Sequence, residues 1–324
     1  MGAVPEVRIS SCDKLMPIIG MGTGIYIQSK ENDKEVMKAA FIEAIKVGYR
    51  HFDTSSDYPS EQPLGEVIME ALRLGLIKSR DELFITTKLG PVYADKDLVL
   101  PAIKMSLRKL QLEYLDLYLI HVPIKLGEEA AVQWPNIAKD MISPIDIKGV
   151  WEGMEECKNL GLTKAIGVSN FPRSMLEELL SVAKIPPAVN QVEMNPTWQQ
   201  KKLREFCKEK DIHVTAYSPL GAYKEMWGHK SIMESNVLEE IAKAKGKTKA
   251  QIALRWVYEQ GASAVPKSLN KERMKENLQI FDWCLTEKEL NKINQLPQQK
   301  AVYFAKTIAA GHSFDFIDQL DAEL

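Results

Sequence analysis

The chain has 324 residues, 45% apolar and 27% charged, an ordinary globular composition with apolar mass enough for a large core. Against 44 Asp and Glu stand 42 Lys and Arg, a formal net charge of −2 that excludes the basic bias of a nucleic-acid binder. The four cysteines (Cys12, Cys157, Cys207, Cys284) show no CxxC spacing, so neither a disulfide framework nor a metal site is expected and a reducing compartment is. Residues 1–20 lack an apolar signal core, Glu6 breaks the myristoylation pattern, and no apolar run reaches the ~18 residues of a membrane span. The cytoplasm is the expected compartment, with neither membrane nor nucleic acid as partner.

Strand-like and helix-like segments alternate. Short starts at Val7–Ser10 and Lys14–Pro17 lead to Ile18–Gly22. Val36, Ala40, Phe41, Ala44 and Ile45 share one face of a helix over Asp33–Val47, closed by Gly48. Tyr49–Asp53 then reads as a strand, Glu61–Leu74 as a helix, Leu83–Lys88 as a strand and Asp97–Leu110 as a helix. In the strand Leu115–His121, the residues Leu115, Leu117 and Leu119 lie on the side of His121. Val122 to about Lys148 shows no clear period, which suits a binding loop or lid. Helices at Gly149–Leu160, Arg173–Val182 and Gln200–Lys210 alternate with strands at Thr163–Val168, Ala188–Glu193 and His213–Tyr217. An irregular loop, Gly221–Ser235, precedes helices at Val237–Ala244 and Lys249–Glu259. A short strand (Ser263–Pro266) and helix (Lys271–Leu278) follow, and from about Pro297 a tail carries Tyr303, Phe304, Phe314 and Phe316. Nearly eight β–α units without linker composition or repeats favour one domain, residues 1–324: an α/β (β/α)8 TIM barrel with long loops and a C-terminal tail over the active-site mouth.

Four chemical residues fall at successive strand ends: Asp53 and Tyr58 after the second, Lys88 ending the third, His121 ending the fourth. Those ends share one face of a barrel, where active sites are built. A buried Lys needs a counter-charge, and Asp53 is the natural one. An ammonium beside a phenol lowers its pKa, so the Tyr can give a proton to a carbonyl under reduction. Gly20-Met21-Gly22-Thr23-Gly24 invites a dinucleotide fingerprint, but the third Gly is replaced by Ile25 and no helix opens there, so a tight turn is the better reading. Lys267, Ser268 and Arg273 converge at a helix start, a setting that suits a phosphomonoester such as the 2′-phosphate of NADP. Ser169, Asn170, Gln191 and Tyr217 end further strands, where amides can hold a carboxamide and a ring can stack on a heterocycle.

These segments (GYRHFDTSSDY, ELFITTKL, LDLYLIHVP, KAIGVSNF, NQVEMNP, TAYSPLG and VPKS…ERMKENL) resemble the aldo-keto reductases from about Lys14 to Leu296. The details look most like the plant branch that includes galacturonate, codeinone, chalcone and methylecgonone reductases. The resemblance implies a barrel that binds NADPH without a Rossmann domain and reduces a small-molecule carbonyl. It implies Tyr58 as general acid, Lys88 lowering its pKa, Asp53 holding Lys88, and His121 orienting the carbonyl or sharing in its protonation. Ser169, Asn170 and Gln191 would bind the nicotinamide carboxamide and Tyr217 would stack on its ring. Gly22 and Thr23 would approach the cofactor, Ser218 and Leu220 would line the pyrophosphate path, and Lys267, Ser268 and Arg273 would grip the 2′-phosphate. Glu276 and Asn277 would contact the adenosine.

Two positions depart from the pattern. Many relatives carry Trp after the catalytic His and again two residues after the catalytic Lys; here those positions are Val122 and Gly90. Two lost indoles should open the mouth, at roughly 150–250 Å² per aromatic. The expected substrate is therefore a bulky ketone, with Ile25, Tyr26, Gly90, Val122, Trp134, Trp227 and the tail near Val302–Phe304 as neighbours. A refilled pocket for a small sugar-acid aldehyde is the alternative. A monomer is expected, since no exposed apolar stripe is evident.

Overall fold

The computed structural model describes residues 4–24, 33–127, 129, 137, 141–223 and 228–301. Eight strands form one sheet: β1 (Met21–Gly22), β2 (His51–Asp53), β3 (Phe84–Leu89), β4 (Leu115–Ile120), β5 (Thr163–Ser169), β6 (Val189–Glu193), β7 (His213–Tyr217) and β8 (Ser263–Ala264). Each pairs in parallel with the strand before it. The sheet also closes on itself. Ile19 bridges Ala264 in parallel, and the Ala264 and Gly22 N–H groups donate to Ile18 O (2.8 Å) and Pro266 O (3.1 Å). Closure leaves no edge strand and makes the (β/α)8 barrel.

Alternation along β4 shows how the sequence builds both shells. Leu117 and Leu119 pack inside with Phe84, Ala165 and Val189. Tyr118 and Ile120 join the cluster shared with the surrounding helices, and Leu115, near the strand start, belongs to that cluster too. A Cβ on Gly22 would lie 2.6 Å from Val265 O, so β1 can approach the chain after β8 only because it carries no side chain.

Ten α-helices are described: α1 (Asp33–Val47), α2 (Glu61–Arg73), α3 (Lys96–Leu110), α4 (Ile147–Asn159), α5 (Arg173–Val182), α6 (Lys201–Glu209), α7 (Asn236–Lys245), α8 (Lys249–Glu259), α9 (Lys271–Leu278) and α10 (Glu287–Asn294). Caps set several starts. Asp146 accepts from Gly149 N, which begins α4 two residues before the expected Gly149, and Thr248 with Gln251 forms a capping box on α8. Inside the segment 122–148, read from sequence as irregular, Ile124–Leu126 pairs antiparallel with Ile142–Pro144.

The N-terminal end of the barrel is sealed. Glu6–Val7 pairs with Met16–Pro17, and Ile9, Cys12 and Met16 pack against the inner cluster. Fully buried Asp116 takes Lys14 Nζ at 2.9 Å, an Arg80 N–H at 2.7 Å and the Ile85 N–H at 2.7 Å. Chemistry is left to the opposite end. No helix among the described residues is long and apolar enough to cross a membrane.

Candidate active site

At the C-terminal ends of β2, β3 and β4 the structure brings Asp53, Tyr58, Lys88 and His121 together. Lys88 Nζ donates to Asp53 Oδ1 at 2.5 Å and to Thr54 O at 2.9 Å, with 1% and 5% of the two charged side chains exposed. The second Asp53 oxygen accepts from Gln191 Nε2 at 2.7 Å. Lys88 Nζ lies 5.4 Å from the centre of the Tyr58 ring. His121 meets that ring edge to face, and Tyr58 Oη is 3.4 Å from His121 Nε2.

The loop that carries Tyr58 is pinned by hydroxyls. Ser60 Oγ lies 2.9 Å from both Thr23 Oγ1 and Thr54 Oγ1, and Thr23 Oγ1 donates to Asp53 O at 3.0 Å. Thr23 is wholly buried in this knot. Gly24 lies against the Tyr58 ring: a Cβ there would sit 3.2 Å from Cε2.

On the far side of the mouth, Asn170 Nδ2 donates to His121 O (3.0 Å) and Ser169 Oγ (3.1 Å), while Tyr217 Oη donates to Asn170 Oδ1 (2.7 Å). The ends of β4, β5 and β7 are thus tied through one amide, and Gln191 ties β6 to β2. Asn170 and Ser218 hold left-handed backbones, φ 62° and 46°. Such residues gather where the surroundings over-determine a functional surface. Ser218 O accepts from Asn195 Nδ2 at 3.4 Å, and Leu220 packs partly buried on the core.

A third group surrounds the start of α9. Asn270 caps the helix by accepting from Arg273 N, and Ser268 Oγ accepts from Asn270 N at 3.1 Å. Lys267 Nζ reaches back to Gly24 O at 3.2 Å, and the Arg273 side chain is exposed. Glu276 is half-buried; Asn277 is 4% exposed and hydrogen-bonds the Tyr49 hydroxyl, whose pKa stays raised because its burial outweighs that bond. Two cations, a hydroxyl and a helix N-terminus form a donor set that matches a phosphomonoester dianion. The residues present therefore fit a 2′-phosphorylated dinucleotide.

Not every expectation holds its meaning. Val122 is 8% exposed and packs with Ile124, Leu126, Ile137 and Ile142 beneath the hairpin, so its small side chain serves a separate apolar cluster. The space beside Gly90 is taken by the Asp57 carboxylate, as set out below. Ile25, Tyr26, Trp134, Trp227 and the tail residues Val302–Phe304 lie outside the described residues. Sequence reading passed over Ser55 and Asp57, which both meet His121, and Glu61, which accepts from Thr87 Oγ1 at 2.8 Å from 1% exposure. Nothing local in the sequence marks the Asp57 carboxylate, or that of Glu61 at the start of its helix, as turned inward.

Fold and site together define an oxidoreductase that reduces carbonyls with a nicotinamide cofactor. The chain belongs to the aldo/keto reductase family, whose pattern matches residues 18–298. It is 61% identical to a D-galacturonate reductase of Fragaria ananassa over all of both chains. It is 56% identical to an NADPH-dependent codeinone reductase of Papaver somniferum, over 92% of this chain and 91% of that one. An aldo-keto reductase of Bombyx mori solved with NADP superposes with a TM-score of 0.83 at 34% identity, covering 99% and 98% of the two chains.

Proposed function

We propose that this protein, as a single-barrel monomer of the cytosol, reduces a ketone or aldehyde of plant specialised metabolism with NADPH. The observation that carries the reading is the convergence of Tyr58, His121 and the buried Lys88–Asp53 pair on one mouth, with Lys267, Ser268 and Arg273 on its rim. Ser169, Asn170 and Gln191 would hold the nicotinamide carboxamide, and Tyr217 would stack on the ring. Gly22 and Thr23 would flank the cofactor, Ser218 and Leu220 would line the pyrophosphate, Lys267, Ser268 and Arg273 would take the 2′-phosphate, and Glu276 and Asn277 the adenosine. NADPH, once bound, supplies the hydride that adds to the carbonyl carbon. Tyr58 gives its phenolic proton to the carbonyl oxygen. The Lys88 ammonium stabilises the negative charge that builds on Tyr58 Oη as that proton leaves, and Asp53 with Thr54 O holds the ammonium in place. His121 positions the oxygen from the other side.

A bulky neutral ketone suits the mouth better than an acid. The carboxylate of Asp57, which fills the space beside Gly90, is smaller than an indole and adds negative charge where a uronate would bring its own. Like charges 4 Å apart repel by about 1 kcal/mol in water and about 4 kcal/mol near a protein surface. The identity to a galacturonate reductase supports the second reading, a sugar-acid aldehyde. Turnover of a neutral polycyclic ketone and of galacturonate, followed by NADPH absorbance, separates the two. A third reading, a low-turnover cofactor-binding regulatory subunit, requires that even nitrobenzaldehyde be reduced negligibly. The proton-donor role is tested by Tyr58→Phe, which should abolish reduction while leaving NADPH binding nearly unchanged. Undiminished turnover would refute it.

A further inference from the structure

We propose that Asp57 is a positioning residue that holds His121 with its proton on Nδ1, so that Nε2 faces Tyr58 and the substrate oxygen as a bare acceptor whenever the ring is neutral. The consequence for catalysis rests on the function proposed above; the tautomer itself does not.

Three oxygens surround the imidazole. Asp57 Oδ2 is 2.9 Å and Ser55 Oγ 3.0 Å from Nδ1, and Tyr58 Oη is 3.4 Å from Nε2. A hydroxyl can donate or accept, so neither Ser55 nor Tyr58 chooses a tautomer. An ionised carboxylate can only accept. At 2.9 Å a bare Nδ1 would set lone pair against lone pair, so Nδ1 must carry the proton. The Asp57 N–H donates to Ser55 Oγ at 3.3 Å, which braces the two Nδ1 partners against each other. Asp57 is one-third exposed and His121 less than one-fifth, so the pair stands at the rim of the site with the imidazole on the inner side.

Gly90 gives a second, independent observation. A Cβ built there would lie 2.1 Å from Asp57 Oδ1 and 2.9 Å from Ser56 Oγ. The Gly90 N–H donates to Ser56 Oγ at 3.0 Å, so its backbone supports the same loop. Any side chain at 90 evicts the carboxylate. The glycine is thus the space in which Asp57 stands.

The chemistry follows from the proton count. With Nδ1 committed to Asp57, the neutral ring offers Nε2 as an acceptor for the Tyr58 O–H in the free enzyme. When a carbonyl binds, Tyr58 turns its proton to the carbonyl oxygen. Nε2 can add a second donor to that oxygen only after taking up a proton from solvent, and Asp57 is then the counter-ion of the imidazolium. Tyr58 still supplies the transferred proton, and no further reactant is consumed.

The experiment is ¹⁵N NMR of histidine-labelled protein at alkaline pH, with His121 assigned by comparison with His121→Gln. The expected wild-type pattern is protonated Nδ1 and bare Nε2. In Asp57→Asn the amide can donate or accept, so the pattern should shift toward protonated Nε2. Asp57→Ala, which keeps only Ser55 beside Nδ1, should do the same. In both variants the neutral ring can donate from Nε2 to the bound oxygen without first gaining a proton, so kcat at alkaline pH should rise by up to about 10-fold, the worth of one neutral hydrogen bond, while KM and NADPH affinity stay within about 2-fold of wild type. A wild-type ring bare at Nδ1, or a pattern and kcat unchanged in both variants, overturns the proposal. The spectra need no turnover: if Tyr58→Phe keeps full activity while the tautomer pattern stands, the reductase mechanism fails and the Asp57 pairing survives.

Discussion

Lys88 Nζ and Asp53 Oδ1 lie 2.5 Å apart with almost nothing of either side chain exposed to water. Removing one partner of such a pair leaves an uncompensated buried charge, which costs about 3–5 kcal/mol. Lys88→Ala should therefore lose both turnover and stability, read by NADPH consumption and urea unfolding. Replacing both residues, as in Lys88→Met with Asp53→Leu, should return part of the stability and none of the activity. The recovery stays partial because Gln191 Nε2 then loses its acceptor. A Lys88→Ala protein as stable as wild type would show that the pair is not held dry.

The cations at the start of α9 predict cofactor choice. Arg273→Ala removes a side chain that is exposed and has no packing role to confuse the result. Loss of one charge-assisted hydrogen bond, about 1.5–3 kcal/mol, should weaken NADPH about 10- to 100-fold. NADH, which lacks the 2′-phosphate, should change less than about 2-fold by the same reasoning. Fluorescence titration of both cofactors decides; equal losses would remove Arg273 from the phosphate site.

Much of this was legible because parallel barrel strands are buried on both faces and read as continuous apolar runs. Leu115–Ile120 announces itself in this way, broken only by Asp116, and α5, α8 and α9 keep the bounds that their periodicity sets. Residues that end those runs share one face by topology, so Asp53, Lys88 and His121 could be grouped from spacing alone. What stayed hidden depends on contacts between distant segments. Helix α10 carries a Thr286–Glu289 capping box, a local signal that was open to reading, but its apolar face is thin, with Ile293 as its only fully buried side chain. The hairpin at 124–126 and 142–144 joins two short stretches across a long insertion, and no local period reveals it. Asp57 is the clearest case. Nothing in SSDY says that its carboxylate turns to His121; the fact depends on a glycine 33 positions further along the chain, which sequence alone reads as empty space.

That dependence is itself testable. Gly90→Ala places a methyl group where Asp57 Oδ1 now stands. Overpacking a filled core costs about 1–3 kcal/mol, but here the clash is with the tip of a one-third-exposed side chain that can swing aside, so the cost should be about 1 kcal/mol or less. In an Asp57→Ala background the same change should cost far less, since the clashing carboxylate is gone. Urea unfolding of the four proteins forms a double-mutant cycle whose coupling should be about 0.5 kcal/mol. Additive losses would mean that the two residues do not contend for the same space.

His213, on β7, sets an expectation for pH. Burial pushes its pKa down from 6.5 to about 4, with neighbouring His51 adding to the effect. Its Nε2 faces Ser263 Oγ at 3.1 Å, a partner that satisfies the neutral ring. The unfolded chain takes up this proton below about pH 6.5 and the folded chain only near pH 4, so between those values the unfolded state binds more protons. Stability is then fully present above pH 6.5 and declines as the pH falls toward 4. Over that window one such histidine accounts for a loss of about 3 kcal/mol. Urea unfolding at pH 7 and pH 5 should show the decline, and His213→Asn should flatten it while lowering stability at pH 7 only modestly. An unchanged slope in that variant would assign the acid sensitivity to other groups, first of all His51, whose pKa burial also lowers.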